Sequence, residues 1–259
     1  MSTYGIATSG LGALGQSLKL DQAAHNLANV STPGFRRDRL SFRERLVEAL
    51  EDRPDHRYYN ALVDRNGGAP FIDEVRFDRR PGGFDTTHRN LDFALQSGGF
   101  FTVRDLDSGA SFYTRAGNFI LDGEGRLVTA DGRCEVLTRD GRGITLDPRA
   151  AADLRLTAEG ALFQGDVEAG RLAVVDFDDY SKLRKQGANL FVNAGGTELP
   201  ATHVQALQGA LEVSSVNPVS EMVEMLKAMR ALESNLQMIK FQDATLERAI
   251  NDAGRVTSR

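Results

Sequence analysis

From Pro218 to Asp252 the apolar residues return every three or four positions with one exception, the pattern of one long helix. Met222, Met229, Leu236 and Ile250 occupy one row of a seven-residue repeat, with Asp243 as its polar exception. Met225, Leu232, Ile239 and Leu246 occupy the other. At 1.5 Å per residue this stretch spans ~50 Å, long for a globular core and natural for a coiled coil. Asn217-Pro218 supplies its start, because a proline at the first helical position gives up only an N–H that has no partner there. Leu226, Ala228 and Ala249 flank the two rows, so the apolar face is wider than one partner covers. A helix packed on its own domain and a helix shared among several neighbours both fit.

Residues 1–29 read as a second, weaker helix. Leu11, Leu14 and Leu18 recur at helical spacing, and Leu20, Ala24 and Leu27 widen the stripe. Against it, Gly5, Gly10, Gly12 and Gly15 each cost about 1 kcal/mol relative to alanine. Such a segment is marginal alone in water. It is expected to pair with the C-terminal helix, and both are expected to gain order from neighbours.

Between the helices the period changes to two. The runs at 91–103, 111–137, 153–165 and 170–177 are short, apolar and separated by turns, among them Asp122-Gly123, Asp131-Gly132 and Asp140-Gly141. With 26 glycines and no tryptophan, the composition suits a turn-rich β protein. The expected fold is therefore mainly β with terminal α: an inserted all-β domain flanked by N- and C-terminal helices that pair as a coiled coil. In residues, 1–35 with 209–259 form the helical layer and 91–208 the outer β domain. Residues 36–90 form an extended connector with hairpins and a short helix over about 41–51. Its arginines, Arg36, Arg37, Arg39, Arg43 and Arg45, alternate with Asp38, Glu44 and Glu48 and read as a solvated, salt-bridged face.

Enzymatic chemistry has little foothold. Cys134 is the single cysteine, which excludes an intrachain disulfide and reads as a small core hydrophobe. His25, His56, His88 and His203 are scattered without metal-ligand spacing, and no phosphate loop, dinucleotide fingerprint or nucleophile elbow is present. No cofactor or metal is expected. A net charge of −5 argues against a general nucleic-acid surface. No apolar run reaches the ~18 residues of a membrane span. The first ten residues lack the basic and leucine-rich regions of a standard signal peptide, so any exit from the cytoplasm is expected to use another route. Paired carboxylates such as Asp176 and Asp178 are a nominal foothold for a hydrolase acting on the cell wall, and acidic surface turns are the far commoner explanation.

The most pointed local signal is "NLANVSTPGFRRDR", residues 26–39. Asn29 is suited to the left-handed conformation that closes a helix. Pro33 and Gly34 suit the central positions of a type II turn, with glycine accepting positive φ. Phe35 then either docks on another surface or fills a local core. Ala28, Asn29, Thr32, Gly34, Phe35 and Arg36 fall where the bacterial flagellar rod and hook family carries Ala-Asn, then Thr-x-Gly-Phe-Lys/Arg, and the stretch resembles that family's signature. "LDFALQSGGFFTV" (91–103) and "YTRAGNFILDGEGRLVTADG" (113–132) are similar to family segments in the β region. Residues 209–251 resemble the family's C-terminal helix and its lead-in.

The resemblance implies a subunit of the flagellar rod, the axial drive shaft of the basal body, with no catalysis. It implies polymerisation with copies of itself and with other rod and hook subunits, through paired terminal helices. It also implies passage through the flagellar type III export apparatus and a final place in the rod, across the periplasm. Residues 222–239 are similar to the proximal-rod type, and the long connector is the feature that favours the distal rod. A cap or chaperone that never polymerises is the remaining alternative.

Overall fold

The computed structural model describes residues 2–44, 70–78, 82–187, 189–201 and 204–256. They form two compact units. One is drawn from Met1–Ala28, Asp38–Phe77 and Asn217–Arg259, the other from Asn29–Arg37 and Asp78–Val216. Strands outnumber helices, and the two long helices lie towards the two ends of the chain.

The first unit holds α1 (Ser2–Ala28), α2 (Pro218–Val256) and one antiparallel strand pair, Asp38–Glu44 with Pro70–Phe77. The 39 residues of α2 make a rod of roughly 58 Å. Asn217 opens it: its side-chain oxygen accepts from Ser220 N at 3.1 Å and its carbonyl from Glu221 N at 3.1 Å. Such a cap satisfies main-chain donors that the first turn leaves over.

α1 runs antiparallel to α2. Gly5 faces Gln242, Gly12 faces Asn235, and Asn26 meets Glu221, three contacts in one seven-residue register. A methyl group on Gly12 would stand 3.3 Å from Asn235 Nδ2, and one on Gly5 3.1 Å from Gln242 Nε2. The glycines that weaken α1 as a helix thus admit the amide side chains of its neighbour. Ala228, buried to 4% exposure, lies on the same face of α2, seven residues from Glu221 and from Asn235.

Residues 41–44, read from the sequence as the opening of a short helix, are strand instead. Leu40, Ser41, Phe42 and Arg43 alternate apolar and polar, and that period favours pairing with Pro70–Phe77. Residues 45–51 of the expected helix lie outside the described residues.

The second unit is built on an antiparallel sheet. Its strands run in the order Leu183–Gln186, Leu190–Asn193, Ser111–Thr114, Phe100–Asp105, Cys134–Val136, Leu127–Thr129, Phe119–Leu121. Val174–Phe177 pairs with Phe100–Asp105 and with Glu198–Pro200. Leu154–Leu156, Ala161–Gln164 and Val167–Arg171 make a separate three-stranded sheet. Two short ladders bring the lead-in to α2 back onto the β body. Ala206–Gln208 pairs with Phe93–Leu95, and Ala210–Glu212 with Phe84–Thr86.

The core follows from the alternation. Phe93, Phe101, Phe119, Leu127 and Leu162 are fully buried, and the Phe101 and Phe119 rings meet edge to face with centroids 5.4 Å apart. Cys134 sits among them, and burial pushes its thiol up to about 11, so it serves as a small hydrophobe. The expected turn at Asp122-Gly123 joins Phe119–Leu121 to Leu127–Thr129, with Asp122 Oδ1 accepting from Glu124 N at 2.9 Å and Arg126 N at 2.8 Å.

A second aromatic group surrounds Phe100, whose ring centroid lies 6.0 Å from Phe177, 5.9 Å from Tyr180 and 5.1 Å from Phe191. The Tyr180 hydroxyl donates to Asp176. Burial first, and that carboxylate second, push the Tyr180 phenol up to about 12. A folded-state value above the unfolded ~10 means stability that is complete below pH ~10 and drains away as pH climbs to about 12. Titration of the tyrosines at 295 nm should therefore find Tyr180 ionising near the top of that window. Asp176→Asn should bring its midpoint down towards the ordinary value, and an unmoved midpoint would contradict this assignment.

Candidate assembly site

The sequence offers two kinds of assembly residue, the rows of the terminal helices and the turn that carries Phe35. In α1, Leu11 and Leu14 are exposed, at 45% and 56%, while Leu18 and Leu27 are half-buried. In α2, Met225, Leu232, Ile239 and Leu246 are half-buried. The other row is open: Met222 at 50%, Met229 at 42%, Leu236 at 47% and Ile250 at 68% exposed. Asp243 is exposed on that same row. The face of α2 towards α1 carries a further row, Glu221, Ala228, Asn235 and Gln242, one residue before Met222, Met229, Leu236 and Asp243; it alternates at spacings of four and three with the half-buried row Met225, Leu232, Ile239 and Leu246. Rotation by one residue, about 100°, leaves the methionine row without cover from α1.

The first unit also contains a buried polar knot that the sequence reading did not single out. Asn26 is fully buried. Its amide oxygen accepts from Asp38 N at 2.9 Å, while its Nδ2 donates to Asp38 O at 3.0 Å and to Glu221 Oε2 at 3.2 Å. The carboxamide thus pairs with the Asp38 main chain as a neighbouring strand would. Gln22 donates to the same carbonyl, and His25 Nδ1 stands 3.2 Å from Asp38 Oδ2. A carboxylate in the first turn of α2 is ordinarily explained by the helix dipole, which conceals the buried role of Glu221.

In the second unit, the turn around Phe35 has the geometry of a type II turn. Phe35 N donates to Thr32 O at 3.3 Å, with Pro33 and Gly34 between them and Gly34 at φ +67°. Asn29 does not take the left-handed conformation. Among the described residues His88, at φ 58°, is the non-glycine found there. Asn29 instead accepts from Thr32 N through its carbonyl at 3.2 Å and from the Thr32 hydroxyl through Oδ1 at 3.2 Å. That local pairing replaces a left-handed cap.

Phe35 is 1% exposed, packed within the chain's own β unit beneath Lys185, whose Nζ lies 3.9 Å from the ring centroid. Of the two readings left open for it, the local core is the one realised. The Lys185 ammonium also donates to Arg36 O. Ser215 N donates to Phe35 O at 3.0 Å, and Arg37 N to Ser215 Oγ at 2.8 Å. Arg36 departs from the expected solvated face, being 3% exposed with Nη2 at 2.8 Å from Glu212 Oε1. Arg115 Nη1 approaches the other oxygen of Glu212 at 3.4 Å. Burial draws both guanidiniums below the usual arginine range, and the Glu212 charge works against that fall.

These contacts hold and orient segments of chain within the second unit. Asp176 Oδ1 accepts from Tyr180 and from Phe177 N at 2.9 Å, and Asp178 Oδ1 from Asp179 N at 2.7 Å and Thr197 N at 3.1 Å. Both are occupied as turn acceptors. Among the described residues no group of three or more His, Cys, Asp or Glu is placed to hold a metal. No described helix is long and apolar enough to cross a membrane.

A β body, helices towards both ends of the chain and a buried turn at Phe35 are what the chain brings to comparison with axial flagellar proteins. Two family models agree. One described as the flagellar hook protein FlgE/F/G D1 domain matches residues 94–164, and one described as the flagellar basal body rod FlgEFG protein C-terminal matches residues 207–252. The chain is 32% identical to the flagellar basal-body rod protein FlgF of Caulobacter vibrioides, over 92% of its own length and 93% of the relative's. It is 31% identical to FlgG of Bacillus subtilis, over 90% of this chain and 92% of that one. With FlgG of Caulobacter vibrioides it shares 30% identity, over 95% and 97%. The chain belongs to the family of flagellar basal-body rod proteins.

Gly34 is the position where the signature tolerates least. Its φ is left-handed, and a Cβ there would fall inside the van der Waals radii of the Ala116 nitrogen and the Arg115 carbonyl carbon. Gly34→Ala is expected to cost the second unit at least ~1–3 kcal/mol, the usual size of one strained backbone position. Urea unfolding followed by tyrosine fluorescence checks this, and an unchanged midpoint contradicts it.

Proposed function

We propose that the chain works as a structural subunit of the flagellar rod that polymerises through its terminal helices, without catalysis. In this reading α1 and α2 pair as a coiled coil, and the layer they form extends by contact with the helices of neighbouring subunits. Copies of this chain and other rod and hook subunits are its partners, and it reaches the rod through the flagellar type III export apparatus. The observation that carries the reading is the row Met222, Met229, Leu236 and Ile250. These are large apolar side chains at heptad spacing, between 42% and 68% exposed, on a helix whose other face is already engaged by α1. Burying such a row gains ~25 cal/mol per Å², available only when another subunit arrives.

Within the rod we favour the proximal segment, on the character of residues 222–239, while the long connector after Arg37 is the feature that speaks for the distal one. Electron cryomicroscopy of basal bodies carrying a tagged subunit separates the two positions.

The row also gives the sharpest test of polymerisation. Because Met229 and Leu236 are exposed, Met229→Asp and Leu236→Asp should leave the stability of the isolated chain within about 0.5 kcal/mol of wild type. Both should abolish flagellar assembly and motility. Normal numbers of flagella in both variants would refute the polymer reading. Wall-degrading activity of the purified chain, lost in Asp176→Asn, would instead establish a hydrolase.

A further inference from the structure

Among the described residues of the second unit, Val167 is the most exposed large apolar side chain, at 71%. It stands at the tip of the hairpin formed by Ala161–Gln164 and Val167–Arg171, between exposed Asp166 and Glu168. The loop joining the strands is only Gly165-Asp166, and Gly165 at φ +61° supplies the positive dihedral that a two-residue hairpin loop needs. The tip is also held from outside. Gln164 Oε1 accepts from Asp147 N at 2.9 Å, its Nε2 donates to Asp147 O at 2.8 Å, and Gly165 N donates to Asp153 O at 3.2 Å. An apolar side chain between two acids is thus presented on a preformed knob, which loses little freedom on docking.

A cleft of about 720 Å³ lies in the same unit, with Val174, Val175, Pro200 and Val204 lining it beside Arg139 and Arg171. Glu159 and Glu198 line it too, and both are engaged within the chain. Glu198 accepts from the Tyr113 hydroxyl and from Asn193 Nδ2 at 3.2 Å. Glu159 is held below the usual carboxylate range by its own N–H first, then by the Thr157 hydroxyl, with Arg171 adding less. Neither Arg139 nor Arg171 forms an ion pair among the described residues, and neither do Asp166 and Glu168. The charges left over are therefore positive in the cleft and negative on the knob. They do not meet within one chain: Val167 and Arg171 are the two ends of one five-residue paired strand, ~13 Å apart at about 3.3 Å per residue.

We propose that the second unit joins copies of this chain head to tail, the tip Asp166-Val167-Glu168 of one copy entering the cleft of the next. Val167 lies on the valines there, and the two acids lie on Arg139 and Arg171. This contact is outside the terminal helices and goes beyond the assembly proposed for them. Because the two surfaces differ, it is heterologous and repeats from copy to copy unless its rotation closes a ring. A knob of three residues buries well under the ~800 Å² per partner of a stable interface. The contact is accordingly weak between free chains and gains strength where copies are already held side by side.

Paramagnetic relaxation between copies of the full-length chain reads so weak a contact. A nitroxide is attached at Asp140→Cys, an exposed turn residue next to Arg139, while the native Cys134 is buried and its thiol, pushed up to about 11, stays unlabelled. Ala158→Cys, exposed and also at the cleft, is the second label site should the first disturb its turn. Spin-labelled chain is mixed with isotope-labelled wild type, so that only contacts between copies register. Amide signals of 166–168 should lose intensity, those of Leu127–Thr129 in the core should not, and added salt should shrink the loss. Asp166→Arg with Glu168→Arg on the isotope-labelled chain should abolish it, and Arg139→Glu with Arg171→Glu on the spin-labelled chain should then restore it. No loss at 166–168 in the wild-type mixture would overturn the proposal and leave the cleft to a different protein. Loss centred on another segment would name another occupant, and loss indifferent to charge reversal would refute the ionic pairing; both overturn it. The readout is separate from flagellar assembly. Fading tip signals alongside normal flagella in Met229→Asp and Leu236→Asp would sink the helix reading and keep this one, and the opposite pair of results would do the reverse.

Discussion

A carboxylate in the protein interior between two guanidiniums is the interaction on which the second unit depends. Glu212 touches Arg36 and Arg115 with every side chain at 5% exposure or less, and its own carbonyl takes the Gly34 N–H. Such a cluster is a poor source of bulk stability, since the desolvation of three charges consumes most of what their attraction returns. Its reach is local: Arg36 adjoins Phe35, which has Lys185 over its ring and Ser215 on its carbonyl.

The first unit solves a different problem. α1 is a poor helix by propensity, yet its glycines are the reason it can lie close to α2. Gly5 and Gly12 present bare backbone to Gln242 and Asn235, and Asn26 presents an amide to Glu221. What α1 loses in intrinsic stability it regains as proximity to α2, and the apolar capacity of α2 is left for other contacts. Small and polar groups at one row, with methionine and leucine at the next, give a single helix one row towards α1 and one exposed row.

Much of this was legible from periodicity. The change from a repeat of three and four to a repeat of two marks the helices and the β body, because side-chain direction is dictated by backbone geometry. The turn at Pro33-Gly34 was legible for a local reason, since few residues accept the positive φ of Gly34; in the turn at Asp122-Gly123 the positive φ falls on Gly125 instead. The row Glu221, Ala228, Asn235 and Gln242 was not. A hydrophobic pattern weighs apolar residues, and these carry almost no such weight; Asn235 and Gln242 face glycines more than 200 residues away, and Glu221 meets Asn26. Nor was the Arg36–Glu212–Arg115 cluster visible, because Arg115 and Glu212 are 97 positions apart and nothing local distinguishes a buried arginine from a solvated one. Residues 41–44 are strand and not the opening of a helix, and the alternation of Leu40 and Phe42 with polar neighbours suits their pairing with Pro70–Phe77.

The seven-residue spacing along α1 and α2 has a bearing on how such a chain can evolve. Gly5, Gly12 and Asn26 match Gln242, Asn235 and Glu221 only while both helices keep their phase. One residue inserted between Glu221 and Asn235 would turn everything beyond it by about 100°, setting Ser234 and Phe241 where Asn235 and Gln242 now meet the glycines. Seven residues inserted would lengthen the helix and restore the phase. Descendants of this sequence are therefore free to drift residue by residue along the open face, while the lengths of their two helices change together and in whole heptads.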